Sequence, residues 1–129
     1  MRNRETVIQI ELCRYVSLKY PKELYTSDLG GVRLSKKQAI QASRMRKRKG
    51  HPDWTLYKKV GRACGLMIEI KKEGTVIFNK DGSMRADPHL REQAEYMRLL
   101  RKQGWICCFA VGLDEAMKTV DNYLSGVLS

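Results

Sequence analysis

The sequence has no apolar run approaching the roughly 20 residues of a membrane-spanning helix, no Cys-x-x-Cys pair, no internal repeat and no low-complexity linker. It holds only two histidines, His51 and His89. Each shortage excludes a class. The four cysteines, Cys13, Cys64, Cys107 and Cys108, have no Cys/His spacing that suits zinc, so they are expected as reduced, mostly buried thiols. Residues 1–5 lead into an amphipathic pattern with Gln9 and Glu11, where a secretory signal would have a continuous apolar core. A cytoplasmic protein with no membrane partner is expected. Its 129 residues make one ordinary domain, expected to span 1–129 and able to bury a core without disulfides or structural metal.

Acid is also missing where base is most abundant. Arg33, Lys36, Lys37, Arg44, Arg46, Lys47, Arg48 and Lys49 follow one another with no Asp or Glu among them. Over the whole chain 25 Lys and Arg face 14 Asp and Glu, a net charge of +11. Such an excess calls for a polyanionic partner, and a phosphate backbone is the natural one, because each neutralised phosphate releases a counterion and adds affinity without reading sequence. A merely solvated face is the competing reading, although solvated faces usually mix both signs.

Apolar residues Ile8, Leu12, Tyr15 and Val16 recur at helical spacing, which predicts a first helix over 4–20 closed by Pro21. At about 100° per residue Glu5 falls in the same stripe, with Gln9 beside it, and an inward-facing acid needs a partner. A short extended piece at 24–27 leads to Gly30-Gly31. Ser35 then reads as the N-cap of a second, basic helix running to about residue 47, with Gly50 breaking it. Next come an extended segment at 54–57, a basic loop with Gly61, and a strand at 66–72. Alternation in that strand puts Leu66, Ile68 and Ile70 on one face and Met67, Glu69 and Lys71 on the other. Residues 75–78 read as another strand, ended by an Asn79-Lys80-Asp81-Gly82 turn. A third helix over 88–102 carries Leu90, Gln93, Ala94, Met97 and Leu100 on one stripe, with Gly104 past its end. The nearly continuous apolar run 105–111 is the pattern of a strand covered on both faces. A last helix over 113–124 turns Leu113, Ala116, Met117, Val120 and Leu124 inward. The order of elements predicts a mixed α/β sandwich.

Two of these strands bring polar residues together in a way packing does not require. Asp53, after Pro52, opens one; Glu69 and Lys71 project from a common face of the next. Hydrolysis of a phosphodiester needs charge neutralised at the attacked phosphate and an activated water, and a divalent cation between two carboxylates supplies both. The ligands are all hard oxygens: Asp53, Glu69, the carbonyl of Ile70, and water or phosphate. Mg2+ is therefore the expected ion and Mn2+ a substitute. Lys71 points at the same space, to orient or deprotonate the water and to stabilise charge on phosphorus. Glu5 is either a further carboxylate of the site or a partner of Arg2 or Arg4 at the helix start. Gln93 either hydrogen-bonds the water or the lysine, or is a plain helix-face amide. Singly, Pro-Asp is a common turn dipeptide and Glu-Ile-Lys a common exposed edge; their combination behind a basic helix carries the weight. His51 is a phosphate contact or a solvated neighbour, and Trp54 and Tyr57 stack on bases or fill the core, with the core expected.

Gly50-His51-Pro52-Asp53, then Gly65-Leu66-Met67-Ile68-Glu69-Ile70-Lys71, then Gln93 ahead of Leu100 and Gly104 resemble the virus-type replication-repair nuclease (VRR-NUC) family of the PD-(D/E)xK superfamily. The likeness extends to Glu5 with Gln9, Tyr20-Pro21, Gly30-Gly31, and the closing helix from Asp114 to Leu124. The resemblance implies a restriction-endonuclease-like fold, a mixed sheet flanked by helices. It implies Asp53 and Glu69 as metal ligands, Lys71 as the catalytic lysine, Glu5 as the helix acid near the metal and Gln93 as the supporting amide. The implied activity is that of a Mg2+-dependent, structure-selective endodeoxyribonuclease of DNA repair, acting on branched DNA as a homodimeric Holliday junction resolvase. One departure is a longer, hairpin-like connection at 75–85, with room to change substrate choice or the dimer contact. Two other functions stay open at this point: a flap or nicking nuclease with the same site, and a basic DNA-binding module without catalysis.

Overall fold

The computed structural model describes residues 4–28 and 34–128; the Gly30-Gly31 turn and Arg33 lie outside the described residues. Along the chain run α1 (Arg4–Lys19), β1 (Tyr25–Ser27), α2 (Lys36–Arg44), β2 (Trp54–Leu56), β3 (Leu66–Lys71), α3 (Pro88–Lys102), β4 (Ile106–Val111) and α4 (Leu113–Leu124). The strands form one mixed sheet in the order β1-β2-β3-β4. β1 to β3 are antiparallel, while β4 returns parallel to β3 after the crossover through α3.

Alternation along β3 builds two cores. Leu66, Ile68 and Ile70 join Trp54 and Leu56 of β2, Ile8, Leu12 and Val16 of α1, and Ala116, Val120 and Tyr123 of α4 on one face of the sheet. Each fully buried aliphatic side chain there is worth about 1.5–3 kcal/mol relative to exposure. On the opposite face Met67 packs with Met97 of α3 and Cys107 of β4. The α/β expectation holds: helices cover both faces of a mixed sheet. β4 lies between α3 and α4, yet as the sheet edge it fully buries only Cys107 and Ala110.

Local chemistry sets the helix ends. The Ser35 hydroxyl accepts from Gln38 N–H while the Gln38 side chain accepts from Ser35 N–H, a complete capping box. Asp87 caps α3 by accepting from His89 and Leu90 N–H, with Pro88 in the first turn. Asp114 and Glu115 favour the dipole at the start of α4.

Four expectations need correction. The second helix stops at Arg44, short of residue 47, with Met45 as its C-cap. None of its residues is buried, so no tertiary packing extends it into the clustered cations that follow. Residues 75–78 form no strand; a single bridge, Phe78 to Met84, closes the 75–85 stretch around Gly82. Only Ile77 turns inward there, and Val76 and Phe78 stay exposed, which leaves too little apolar surface to hold a strand. The cysteines are free, but Cys107 alone is buried, and Cys64 is exposed. Trp54 is core as expected, stacked on Tyr25, whereas Tyr57 is 49% exposed.

Candidate active site

Register places the acids. Trp54 of β2 pairs with Ile68 of β3, so Asp53, one step earlier, lies opposite Glu69, one step later. Directly opposed residues of an antiparallel pair share a face, with Cβ atoms about 4.5–5.5 Å apart. The ladder has ended here, and the Asp53 side chain replaces it: Oδ2 accepts the Ile70 N–H at 2.9 Å. The Lys71 carbonyl accepts from Gly112 N–H on the β4 side. Successive carbonyls of a strand point to opposite edges, so the Ile70 carbonyl faces the Asp53 side.

Glu69 is 3% exposed and lies against the Asp53 carboxyl. Burial first, and the neighbouring Asp53 second, push its pKa up to about 10; Lys71 opposes the shift and Glu5 adds to it. Two ionised carboxylates only accept hydrogen bonds, so this pair holds together with a shared proton or around a cation. Glu69 Oε1 is buried and meets no donor among the described residues. Lys71 Nζ, itself buried, stands 4.0 Å from Glu69 Oε2. Asp53, Glu69 and the Ile70 carbonyl form an oxygen donor set suited to a hard divalent ion whose remaining ligands are water. No group of three or more His, Cys, Asp or Glu side chains is gathered among the described residues. Glu5 is half-buried and acts on Glu69 through its charge.

Gln93 reaches the same face from α3. It is 5% exposed, its amide is 3.2 Å from His89 Nε2, and its Oε1 has no partner among the described residues. Gly50 explains how the Pro52-Asp53 segment comes so close to α3. Its φ is +97°, and a Cβ there would lie 2.9 Å from the Glu92 carbonyl oxygen and 3.3 Å from Gln93 Cα. Gly50 therefore does not end a helix; it lets the loop lie against the backbone that carries Gln93. His51 is exposed, with its ring edge-on to Tyr96 of α3 and Nδ1 2.7 Å from the Pro52 carbonyl.

The basic residues lie outside this cluster. Lys36, Lys37 and Arg44 are exposed on α2, and Arg46, Lys47, Arg48 and Lys49 are exposed on the irregular chain that leads into Gly50. Arg48 runs near α3, where its charge helps lower the pKa of Glu95, an effect led by the Glu95–Arg98 hydrogen bond. The sequence reading passed over Asp28. Its N–H donates to the Asp53 carbonyl at 2.6 Å, which extends the β1–β2 pairing to the site, and the buried Gln9 amide reaches its carbonyl at 3.4 Å. Only knowledge of the β1–β2 register would have found it.

No protein-family model and no curated protein matches the sequence. A solved structure described as a "VRR_NUC domain protein" does match, with a TM-score of 0.70 over 100% of this chain and 98% of that one, at 23% identity. The chain has the VRR-NUC fold. Within this fold, Asp53, Glu69 and Lys71 lie on the sheet face that α3 covers, and Gln93 belongs to the buried side of α3. No helix among the described residues is long and apolar enough to cross a membrane.

Proposed function

We propose that the chain is a metal-dependent nuclease that hydrolyses DNA phosphodiester bonds at the Asp53–Glu69–Lys71 cluster. The observation that carries this reading is a buried carboxylate with an unsatisfied oxygen, Glu69, held against the half-buried carboxylate of Asp53 and beside the buried amine of Lys71. A purely structural core gains nothing from such a group, since isolating these charges from water is costly and an apolar set of similar volume is at least as stable. Asp53, Glu69 and the Ile70 carbonyl would hold Mg2+, or Mn2+ in its place. The bound ion would neutralise charge at the attacked phosphate and acidify water.

The chain's own groups do the rest. Lys71 presents its amino group at the position where water and phosphate meet, with Glu69 beside it. The Gln93 Oε1 offers an acceptor to that water or to Lys71, and Glu5 adds negative charge from the end of α1. Arg44, Arg46, Lys47, Arg48 and Lys49 hold the strand that leads to the site. The substrate in this reading is branched DNA, and two copies of the chain act together, because paired cuts across a four-way junction need two sites related by a two-fold axis.

The test is a cleavage panel: junction, flap, duplex and single-stranded DNA, each with Mg2+, with Mn2+ and with chelator. Paired nicks on the junction with either metal, lost in Glu69→Gln and Lys71→Ala while DNA binding persists, support the reading. A wild type that binds DNA and never cuts it reduces the chain to a binding module.

A further inference from the structure

We propose that Tyr57 is a stacking platform for an unpaired DNA base, held on the same sheet face as the carboxylates and at its opposite end; this rests on the reading of the chain as a DNA-cutting enzyme. Tyr57 follows β2 directly, and its N–H donates to the Leu24 carbonyl at 2.8 Å, so the extended chain continues through it. Asp53, Thr55 and Tyr57 therefore alternate onto one face, while Trp54 and Leu56 enter the core on the other. At about 3.3 Å per residue Tyr57 lies roughly 13 Å from Asp53. A stacked strand rises about 3.4 Å per nucleotide, which makes the separation roughly four nucleotides.

The ring is exposed without being loose. Trp105 meets it edge-to-face, with centroids 6.2 Å apart and planes at 84°. Trp105 is in turn pinned: a Cβ on Gly65 would lie 2.5 Å from its Cζ3, so only glycine lets the indole lie on the strand. An aromatic side chain braced in this way while 49% exposed loses little freedom on binding, and it offers an apolar surface that no core requirement explains.

Charge around the ring selects the partner. The turn that follows carries Lys58, Lys59 and Arg62, closed by reciprocal bonds between Val60 and Ala63. Lys58 is engaged with Glu23 at 3.7 Å, whereas Lys59 and Arg62 are exposed and in no ion pair with a described residue. An exposed aromatic face followed by a turn carrying unpaired cations suits a base together with a neighbouring phosphate, and it needs a base free of its neighbour: a tail, a flap or the opened centre of a branch.

The experiment uses the full chain in chelator, so that nothing is cut. It compares a duplex bearing a single-stranded tail with a blunt duplex of the same sequence, both labelled for fluorescence anisotropy. Tyr57→Ala is expected to weaken tailed-duplex binding roughly five- to one-hundred-fold, with blunt-duplex binding unchanged and Tyr57→Phe like wild type. Lys59→Ala and Arg62→Ala should each flatten the salt dependence by roughly 0.7–0.9 in log–log slope. A 2-aminopurine in the tail should be quenched by wild type and by Tyr57→Phe, and spared by Tyr57→Ala. Equal binding by wild type and Tyr57→Ala, equal losses on both duplexes, or a wild type that binds neither would overturn the proposal. Tail binding through Tyr57 by a protein that never cuts with Mg2+ or Mn2+ keeps this platform and removes the nuclease reading instead.

Discussion

The carboxylate of Asp53 takes up the amide hydrogen of Ile70 at 2.9 Å, so the catalytic candidate on one strand supplies the hydrogen bond that the neighbouring strand lacks where the ladder ends. That single bond fixes Asp53 opposite Glu69 and leaves its second oxygen for the shared site. Loss of the acid is thus both a structural and a chemical change, which is why the cleaner probes lie elsewhere.

Glu69→Gln should stabilise the protein in chelator. The folded pKa of Glu69 is raised from 4.5 to about 10, so its protonated form is favoured in the fold. The associated stability is complete below pH 4.5 and is lost as pH rises toward 10. Melting temperature in chelator should fall between pH 5 and 9 for wild type, and the fall should be shallower in Glu69→Gln. At the alkaline end the variant should melt higher by about 3–6 °C for each kcal/mol recovered. A wild type whose stability climbs over the same interval would mean that Glu69 is ionised in the fold.

Lys71→Ala should lower the cleavage rate by about 10²–10⁴-fold with little change in DNA affinity. Single-turnover rates beside equilibrium binding separate the two. An equal loss in both would make Lys71 a DNA contact only.

Gly50→Ala combines a positive φ with an obstructing carbonyl at 2.9 Å. The substitution should cost about 1–3 kcal/mol and slow cleavage, because the strained loop carries Pro52 and Asp53 away from α3. Chemical denaturation together with single-turnover cleavage measures both. A variant as stable and as fast as wild type would show that the loop has slack.

Arg46, Lys47 and Arg48 replaced singly by alanine should each reduce the salt slope of DNA binding by roughly 0.9 per lost phosphate contact, uniformly across sequences. Titrations at several salt concentrations read it directly. Unchanged slopes would take this segment out of the DNA path.

Much of this was legible in the sequence where one residue pattern had one physical solution. The strict alternation of residues 66–71 gave both the strand and the face shared by Glu69 and Lys71, and the stripe of Leu90, Gln93, Ala94, Met97 and Leu100 marked α3. Ser35 was legible as the N-cap of α2, while its reciprocal bond with Gln38 came only with the structure. Sequence failed where tertiary context decided. Basic residues after Arg44 carry helical propensity, yet a helix that buries nothing has no reason to continue into them. Val76, Ile77 and Phe78 look like a strand, but only Ile77 turns inward, which buries too little apolar surface to hold one. Tyr57 and Trp54 read alike, and only the pleat of β2 separates the exposed ring from the buried one. Gly50 is visible as a breaker, while its approach to Gln93 depends on a helix far along the chain.

The central claim is that Asp53 and Glu69 share one divalent cation. Crystals soaked in Mn2+ test it most directly through anomalous scattering. The account predicts one strong peak within bonding distance of both carboxylates and the Ile70 carbonyl, absent from Glu69→Gln. No peak there at saturating metal, with the two carboxylates still hydrogen-bonded to each other, would contradict it.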